Sequence, residues 1–111
     1  MPLYESTFII RQDTPKTEIE TILTDISEAV TQNGGKILKT ERWGLLNLAY
    51  VIKKNKKGHY IHLVIEGPES TPNVLAREYK HRTKDVIRNL TVVAESFSDK
   101  PSHMMRTAEE A

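Results

Sequence analysis

The order in which the hydrophobic pattern changes its period restricts the fold of this chain more than any other feature. Residues 3–11 alternate in character, with Tyr4, Phe8 and Ile10 on one parity, as a β-strand requires. Helical spacing follows and ends at the Asn-Gly-Gly sequence of residues 33–35, which favours a helix terminus. The apolar positions of this predicted helix are Ile19, Ile22, Leu23, Ile26 and Val30.

The second half of the chain adds strands and another helix. Residues 36–53 are rich in strand-forming residues and are interrupted by Gly44, which predicts a β-bulge or a close backbone approach. Residues 59–66 and 86–94 also have strand patterns, and a shorter helix is predicted between them. The order strand, helix, strand, strand, helix, strand predicts an α+β fold. It is the ferredoxin-like split β-α-β-β-α-β arrangement, in which two helices cover one face of a four-stranded antiparallel sheet.

Short motifs set the expected boundaries of these elements. The Thr-Pro pairs at residues 14–15 and 71–72 predict helix starts, with threonine as the N-cap and proline as the first helical residue. The five residues Lys54–Gly58 are expected to form a hairpin loop. The chain has 111 residues, enough for one domain, which we expect over residues 1–97 with a flexible C-terminal tail over residues 98–111.

Apolar residues occur on both parities of the predicted strands, although only one parity can face the helices. Val51, for example, lies between Tyr50 and Ile52. The apolar residues on the second parity predict a partly apolar exposed face of the sheet. Such a face is more typical of a protein-binding or self-association surface than of a surface without partners.

The net charge of +1 hides a strong local imbalance. Residues 36–60 contain seven basic residues against one acidic residue, Glu41, whereas residues 1–35 contain two basic residues against six acidic ones. Because electrostatic fields act locally, a surface centred on the basic segment 53–57 suits phosphate groups and therefore nucleic acid. Solvated lysines in a hairpin turn are the other interpretation, and the charge pattern alone leaves both open.

The sequence lacks the residue patterns that most catalytic and metal-binding sites require. The chain has no cysteine, which removes thiolate zinc sites, thiol nucleophiles and disulfides and favours the cytoplasm. His59 and His62 lie three apart on a predicted strand, so they should point to opposite faces and share no metal ion. Neither nucleotide-binding glycine motifs nor long apolar segments occur. We therefore expect no enzyme, cofactor, metal, small-molecule substrate or membrane association.

The third strand also lacks the pattern of an RNA-recognition motif. Residues 57–58 are Lys-Gly, as that pattern begins, but the small residue and the later aromatic residues are missing from 59–64. Stacking of bases by that route is not expected.

A longer and more specific pattern spans the second and third strands. Residues 43–54 are Trp-Gly-Leu-Leu-Asn-Leu-Ala-Tyr-Val-Ile-Lys-Lys, and Lys-Gly-His-Tyr follows at residues 57–60. Together with Gly-Lys-Ile at 35–37 and Val-Ile-Arg at 86–88, this sequence resembles the family of the sixth protein of the bacterial small ribosomal subunit. The similarity extends over nearly the whole predicted domain.

The resemblance implies a structural protein of the small ribosomal subunit that has no catalytic activity. It also implies binding to the central domain of small-subunit ribosomal RNA, cooperatively with the eighteenth small-subunit protein, during assembly of the platform. The candidate RNA-binding residues are Arg42, Lys53, Lys54, Lys56, Lys57, His59, Arg82 and Arg88. The candidate residues of the partner-protein interface are Trp43, Leu46, Tyr50, Val51 and Tyr60.

Two single positions depart from the family pattern, and residues 80–85 also fit it poorly. Family members often have a basic residue after the initiator methionine and a proline after the Ala-Tyr pair, where this chain has Pro2 and Val51. Val51 restores a backbone N–H that proline lacks, so the second strand could offer a continuous ladder to a partner or to a second copy. A module that self-associates through its sheet and has no RNA role is the alternative from another functional class.

Overall fold

The computed structural model describes residues 2–52 and 54–94, and it confirms the predicted order of elements. The elements are β1 (Leu3–Arg11), α1 (Lys16–Gln32), β2 (Lys36–Ile52), β3 (Asn55–Glu66), α2 (Thr71–Lys80) and β4 (Val86–Ala94). The α+β ferredoxin-like fold is therefore confirmed. The predicted C-terminal tail, residues 98–111, and the candidate residue Lys53 lie outside the described residues.

The four strands form one antiparallel sheet in the order β2-β3-β1-β4. β1 pairs with β3 from Leu3 opposite Glu66 to Arg11 opposite Gly58, without a break in register. On its other side β1 pairs with β4, with a bulge after Ile9. The order leaves β2 and β4 as the edge strands of the sheet.

The hydrophobic core lies between the helices and one face of the sheet. The register brings Phe8 of β1 opposite Ile61 of β3, and both side chains are buried on the helix side. Alternation then places every second residue of each strand on the same side, which explains the period-two pattern of the sequence. The other buried members of this core are Ile10, Ile19, Ile22, Ile26, Val30, Leu63, Ile65, Leu75, Tyr79 and Val86.

The predicted helix starts are each wrong by one residue. Pro15 is the N-cap of α1, and its carbonyl accepts hydrogen bonds from two amides of the first turn at 3.0 and 3.1 Å. Thr14 belongs to the turn after β1, since its amide donates to Arg11, and its buried side chain does not cap the helix. Ser70 is likewise the N-cap of α2, and Thr71 is the first helical residue. In both cases the preceding tight turn, rather than the Thr-Pro pair, sets the start.

The end of α1 and the irregularity of β2 agree with the sequence. Asn33 is the C-cap of α1, and Gly34 adopts φ of +82°, a left-handed conformation that favours glycine. Gly44 adopts φ of +86° where the pairing of β2 with β3 changes register, so the predicted bulge is confirmed.

The predicted five-residue hairpin loop is wrong. Ile52 of β2 pairs with Asn55 of β3, so the turn is much tighter, and Lys54 in the turn has φ of +69°. Lys56 and Lys57 therefore lie on β3 and not in a loop. The polar composition of this segment is typical of loops, but here it belongs to a strand that extends beyond β1.

Gly58 allows β3 to pass close to β1 at the base of this extension. A Cβ atom at Gly58 would lie only 2.3 Å from Cγ2 of Ile9, a branched side chain with little freedom to move. The same atom would also meet Leu48 at 3.5 Å. The absence of a side chain at Gly58 thus permits the observed packing of the hairpin on the sheet.

Replacing Gly58 by alanine is expected to destabilise the fold by about 1–3 kcal/mol, the usual penalty for overpacking. Because Ile9→Ala removes the clashing Cγ2, Gly58→Ala should cost less in that background. A double-mutant cycle measured by urea denaturation checks this. Equal costs in the two backgrounds would contradict the steric explanation.

Candidate nucleic-acid and protein interface

The lysine-rich segment lies at the end of a projecting pair of strands. β1 ends at Arg11, opposite Gly58, while β2 and β3 continue beyond it. We call residues 47–52 and 54–57 the arm. Lys54, Lys56 and Lys57, three of the four predicted lysines, are all exposed on the arm. Three cations on one projecting element form a local positive surface suited to phosphate groups.

The arm is fastened to the turn after β1 by a reciprocal pair of side chains. The backbone amide of Gln12 donates to Oδ1 of Asn55 at 3.2 Å, and Oε1 of Gln12 accepts from the amide of Lys57 at 3.1 Å. Nδ2 of Asn55 also donates to the carbonyl of Ile52 at 3.3 Å, across the hairpin turn. At the base of the arm, Nε2 of His59 contacts the carbonyl of Gln12 at 3.2 Å.

Arg42 and Arg82 lie away from the arm and contact acidic residues of α1. Both terminal nitrogens of Arg42 contact the carboxylate of Glu20, with Nη2 at 2.8 Å from Oε2. This contact lowers the pKa of Glu20 and raises that of Arg42. Nη2 of Arg82 donates to Asp25 at 2.6 Å in a cleft between the helices. An RNA phosphate at either position would compete with a carboxylate of this chain.

The sheet face opposite the helices, here called the open face, carries a stack of rings. Trp43 is nearly parallel to Tyr60 and to His62, with centroid separations of 5.9 and 5.5 Å. The indole Nε1 of Trp43 donates to Oε2 of Glu41 at 3.1 Å. Trp43 is only 8% exposed, because its neighbours on this face cover it. It therefore supports the open face more than it offers surface to a partner.

Arg88 shares the open face with Tyr60. Both are register partners of Ile9, so they lie on either side of it in one row across the sheet. Burial raises the pKa of the Tyr60 hydroxyl, and the positive charge of Arg88 opposes that rise. Arg88 itself is exposed and available to an anionic ligand.

His62 is the centre of a polar network that sequence reasoning missed. The ring is fully buried, with Nδ1 2.7 Å from the hydroxyl of Thr7 and Nε2 3.4 Å from Oε1 of Glu5. Burial lowers the pKa of His62 below its ordinary value of 6.5, and the charges of Glu5 and Glu41 oppose this shift. The register of β1 and β3 places Thr7 directly opposite His62, and the sequence pattern of either strand alone does not give this pairing. His59 points to the other face, as expected.

The predicted partner residues are divided between the open face and the edge strand. Tyr50 and Val51 on β2 are 77% and 62% exposed, and Leu46 is half-buried nearby. Since β2 is an edge, this part of its backbone lies beside no strand other than β3 within the described residues. Exposed apolar residues beside an edge backbone can receive another polypeptide segment.

The described ranges show neither a metal centre nor a membrane helix. No group of three or more His, Asp or Glu side chains within residues 2–52 and 54–94 is arranged to hold a metal ion. No helix in the same ranges is long and apolar enough to cross a membrane.

A comparison with protein families assigns this combination of fold and sequence. A family model described as ribosomal protein S6 matches residues 3–93, nearly the whole part that the structure describes. The chain belongs to the ribosomal protein S6 family.

Curated relatives and a solved structure agree with this assignment. The small ribosomal subunit protein bS6 of Paramagnetospirillum magneticum is 42% identical over 96% of this chain and 74% of its own length. That of Zymomonas mobilis is 42% identical over 96% of this chain and 85% of its own length. The crystal structure of 30S ribosomal protein S6 from Thermotoga maritima has a TM-score of 0.78 at 31% identity, covering 84% of this chain and 87% of that one.

Membership of the S6 family makes the chain a structural component of the small ribosomal subunit and not an enzyme. The expected family, the absence of catalytic activity and the cytoplasmic location in the small subunit are thereby confirmed. The individual RNA-binding and partner-binding residues stay predictions.

The buried histidine predicts how the stability of this S6-family chain depends on pH. The unfolded chain binds a proton at His62 at a higher pH than the folded chain does, because the folded pKa is lowered. The free energy of unfolding should therefore fall as the pH drops below about 6.5 and continue to fall towards the folded pKa. His62→Gln should weaken this dependence, as measured by thermal or urea denaturation at a series of pH values.

The same substitution at half-buried His59 is the matched control for this prediction. His59→Gln should leave most of the pH dependence in place. A His62→Gln variant whose stability falls with pH as steeply as that of the unaltered protein would contradict the assignment of a buried, neutral imidazole.

Proposed function

We propose that this chain binds the central domain of small-subunit ribosomal RNA together with the eighteenth small-subunit protein, during assembly of the platform. The observation that carries the proposal is the arm, on which Lys54, Lys56 and Lys57 are exposed together beyond the sheet. Phosphate contacts need exposed cations, and this segment supplies three of them within four residues. Arg88 adds an exposed guanidinium on the open face.

The partner protein would occupy the edge strand β2 and the adjoining open face. Tyr50 and Val51 provide exposed apolar contacts, and the edge backbone provides hydrogen-bonding groups. This surface overlaps the arm, because Tyr50 and Val51 lie within residues 47–52, and Ile52 pairs with Asn55 of β3 beside the lysines. A partner bound there would add its own phosphate contacts beside the lysines, so the RNA would bind the pair more tightly than either protein alone.

Self-association is the second candidate function, and the exposure of Tyr50 and Val51 on an edge strand favours it. A second copy could pair with β2 through the same backbone groups. The two functions differ in their electrostatics, because pairing of strands releases few counterions whereas binding to phosphates releases many.

Salt dependence tests the proposed function. Binding to a central-domain RNA fragment, with the eighteenth protein present, should give a slope of log K against log salt of roughly −3 to −5 if four to six phosphates are contacted. Lys54→Gln and Lys57→Gln should each reduce the slope by about 0.7–0.9. Filter binding or fluorescence anisotropy at several salt concentrations measures both effects.

Lys36→Gln is the matched control, because Lys36 is exposed at the opposite end of β2. It should leave the slope unchanged. Absence of binding with and without the partner would overturn the RNA role, and dimer formation at every salt concentration would then favour self-association.

A further inference from the structure

We infer that Gln12 and Asn55 are positioning residues that hold the lysine-bearing arm in the orientation in which it meets RNA. This inference rests on the proposed function and extends it to two uncharged residues that hydrogen-bond to the arm or within it. Neither residue is among the candidate RNA-binding residues predicted from the sequence.

The arm needs such a fastening because it extends beyond the layered part of the fold. Two-stranded ribbons that pack against no third strand are at best marginally stable in water. The pairing of β2 with β3 is also irregular here, since the register shifts between Asn47 and Ile52. The turn adds strain, because Lys54 adopts φ of +69° without being glycine.

The geometry of the two side chains matches this requirement. Asn55 is only 5% exposed, an unusual degree of burial for an amide in a projecting hairpin, and it bonds to both Gln12 and Ile52. The side chain of Gln12 in turn accepts the amide of Lys57. These hydrogen bonds join the turn after β1 to the backbone between the exposed lysines, so the lysine heads project from an ordered base.

Order in the free protein favours binding. An arm that is mobile before it binds must lose conformational freedom in the complex, and that loss reduces affinity by a constant factor. The penalty is independent of salt, because the number of phosphate contacts in the complex is unchanged. Loss of the fastening should therefore lower affinity at every salt concentration without altering the slope, whereas loss of a lysine alters the slope.

Hydrogen exchange tests the fastening without any RNA. The amide of Lys57 should be protected in the free full-length protein, because it donates to Gln12. In Gln12→Ala and Asn55→Ala that amide should exchange faster, while amides of the β1–β3 pairing keep their protection. Equal protection of Lys57 in all three proteins would overturn the inference, whatever the RNA does.

The affinity of the same variants for the central-domain RNA fragment, with the eighteenth protein present, tests the functional part. Asn55→Ala should weaken binding about 5- to 10-fold and Gln12→Ala about 2- to 5-fold, the range expected for one or two hydrogen bonds. The salt slope should match that of the unaltered protein. Circular dichroism checks that each variant is folded. If the two side chains served only the stability of the fold, folded variants would bind the RNA with unchanged affinity.

Asn33→Ala is the matched control, since Asn33 donates a side-chain hydrogen bond to Ser70 at 2.9 Å, at the far end of α1. This substitution removes a side-chain amide of the same kind as that of Asn55, and it should not affect RNA binding. Normal binding by the unaltered protein, by Gln12→Ala and by Asn55→Ala would overturn the positioning role and leave the proposed function intact. A reduced slope in Asn55→Ala would also overturn it, and failure of the unaltered protein to bind would overturn the proposed function itself.

Discussion

The pairing register of β1 with β3 is the constraint on which the rest of the structure depends. It is fixed by burial, because Phe8 opposite Ile61 faces the helices and a slip by one residue would expose the whole core face. The same register places Thr7 opposite His62 on the open face. It also ends β1 at Gly58, so that β3 continues beyond its neighbour and carries its lysines outward. Core, polar network and basic arm thus follow from one alignment of two strands.

The two sides of the sheet use different physical means to stay ordered. The helix side is a hydrophobic core that also contains a short series of hydrogen-bonded hydroxyls. Oγ of Ser6 lies 2.6 Å from the hydroxyl of Tyr79 and 2.9 Å from that of Thr91. Neither helix of the described residues lies over the open face, and its centre is covered by Trp43 stacked on His62. That stack removes the imidazole from water and lowers its pKa. The ring stack therefore buries the centre of the open face, while Tyr50 and Val51 stay exposed on the edge strand β2.

The sequence predicted the elements well because their patterns are long and periodic. β1 and β4 have the expected boundaries. The bulge at Gly44 was predictable because a glycine inside a strand pattern usually marks an irregularity of the backbone. The hairpin could not be predicted, because Lys56 and Lys57 have loop-like composition and become strand residues only through their partners. Contacts between side chains that are distant in sequence could not be predicted either, because they also depend on partners that only the fold brings close. The approach of Arg42 to Glu20 and the fastening by Gln12 depend on where the fold brings them.

Lysine footprinting on assembled small subunits is the most direct test of the claim that the arm is the RNA-binding element. Reactivity of each lysine towards an acylating reagent would be compared between the free protein and the assembled subunit. Lys54, Lys56 and Lys57 are expected to lose reactivity on assembly. Unchanged reactivity of all three arm lysines in the assembled subunit would contradict this claim.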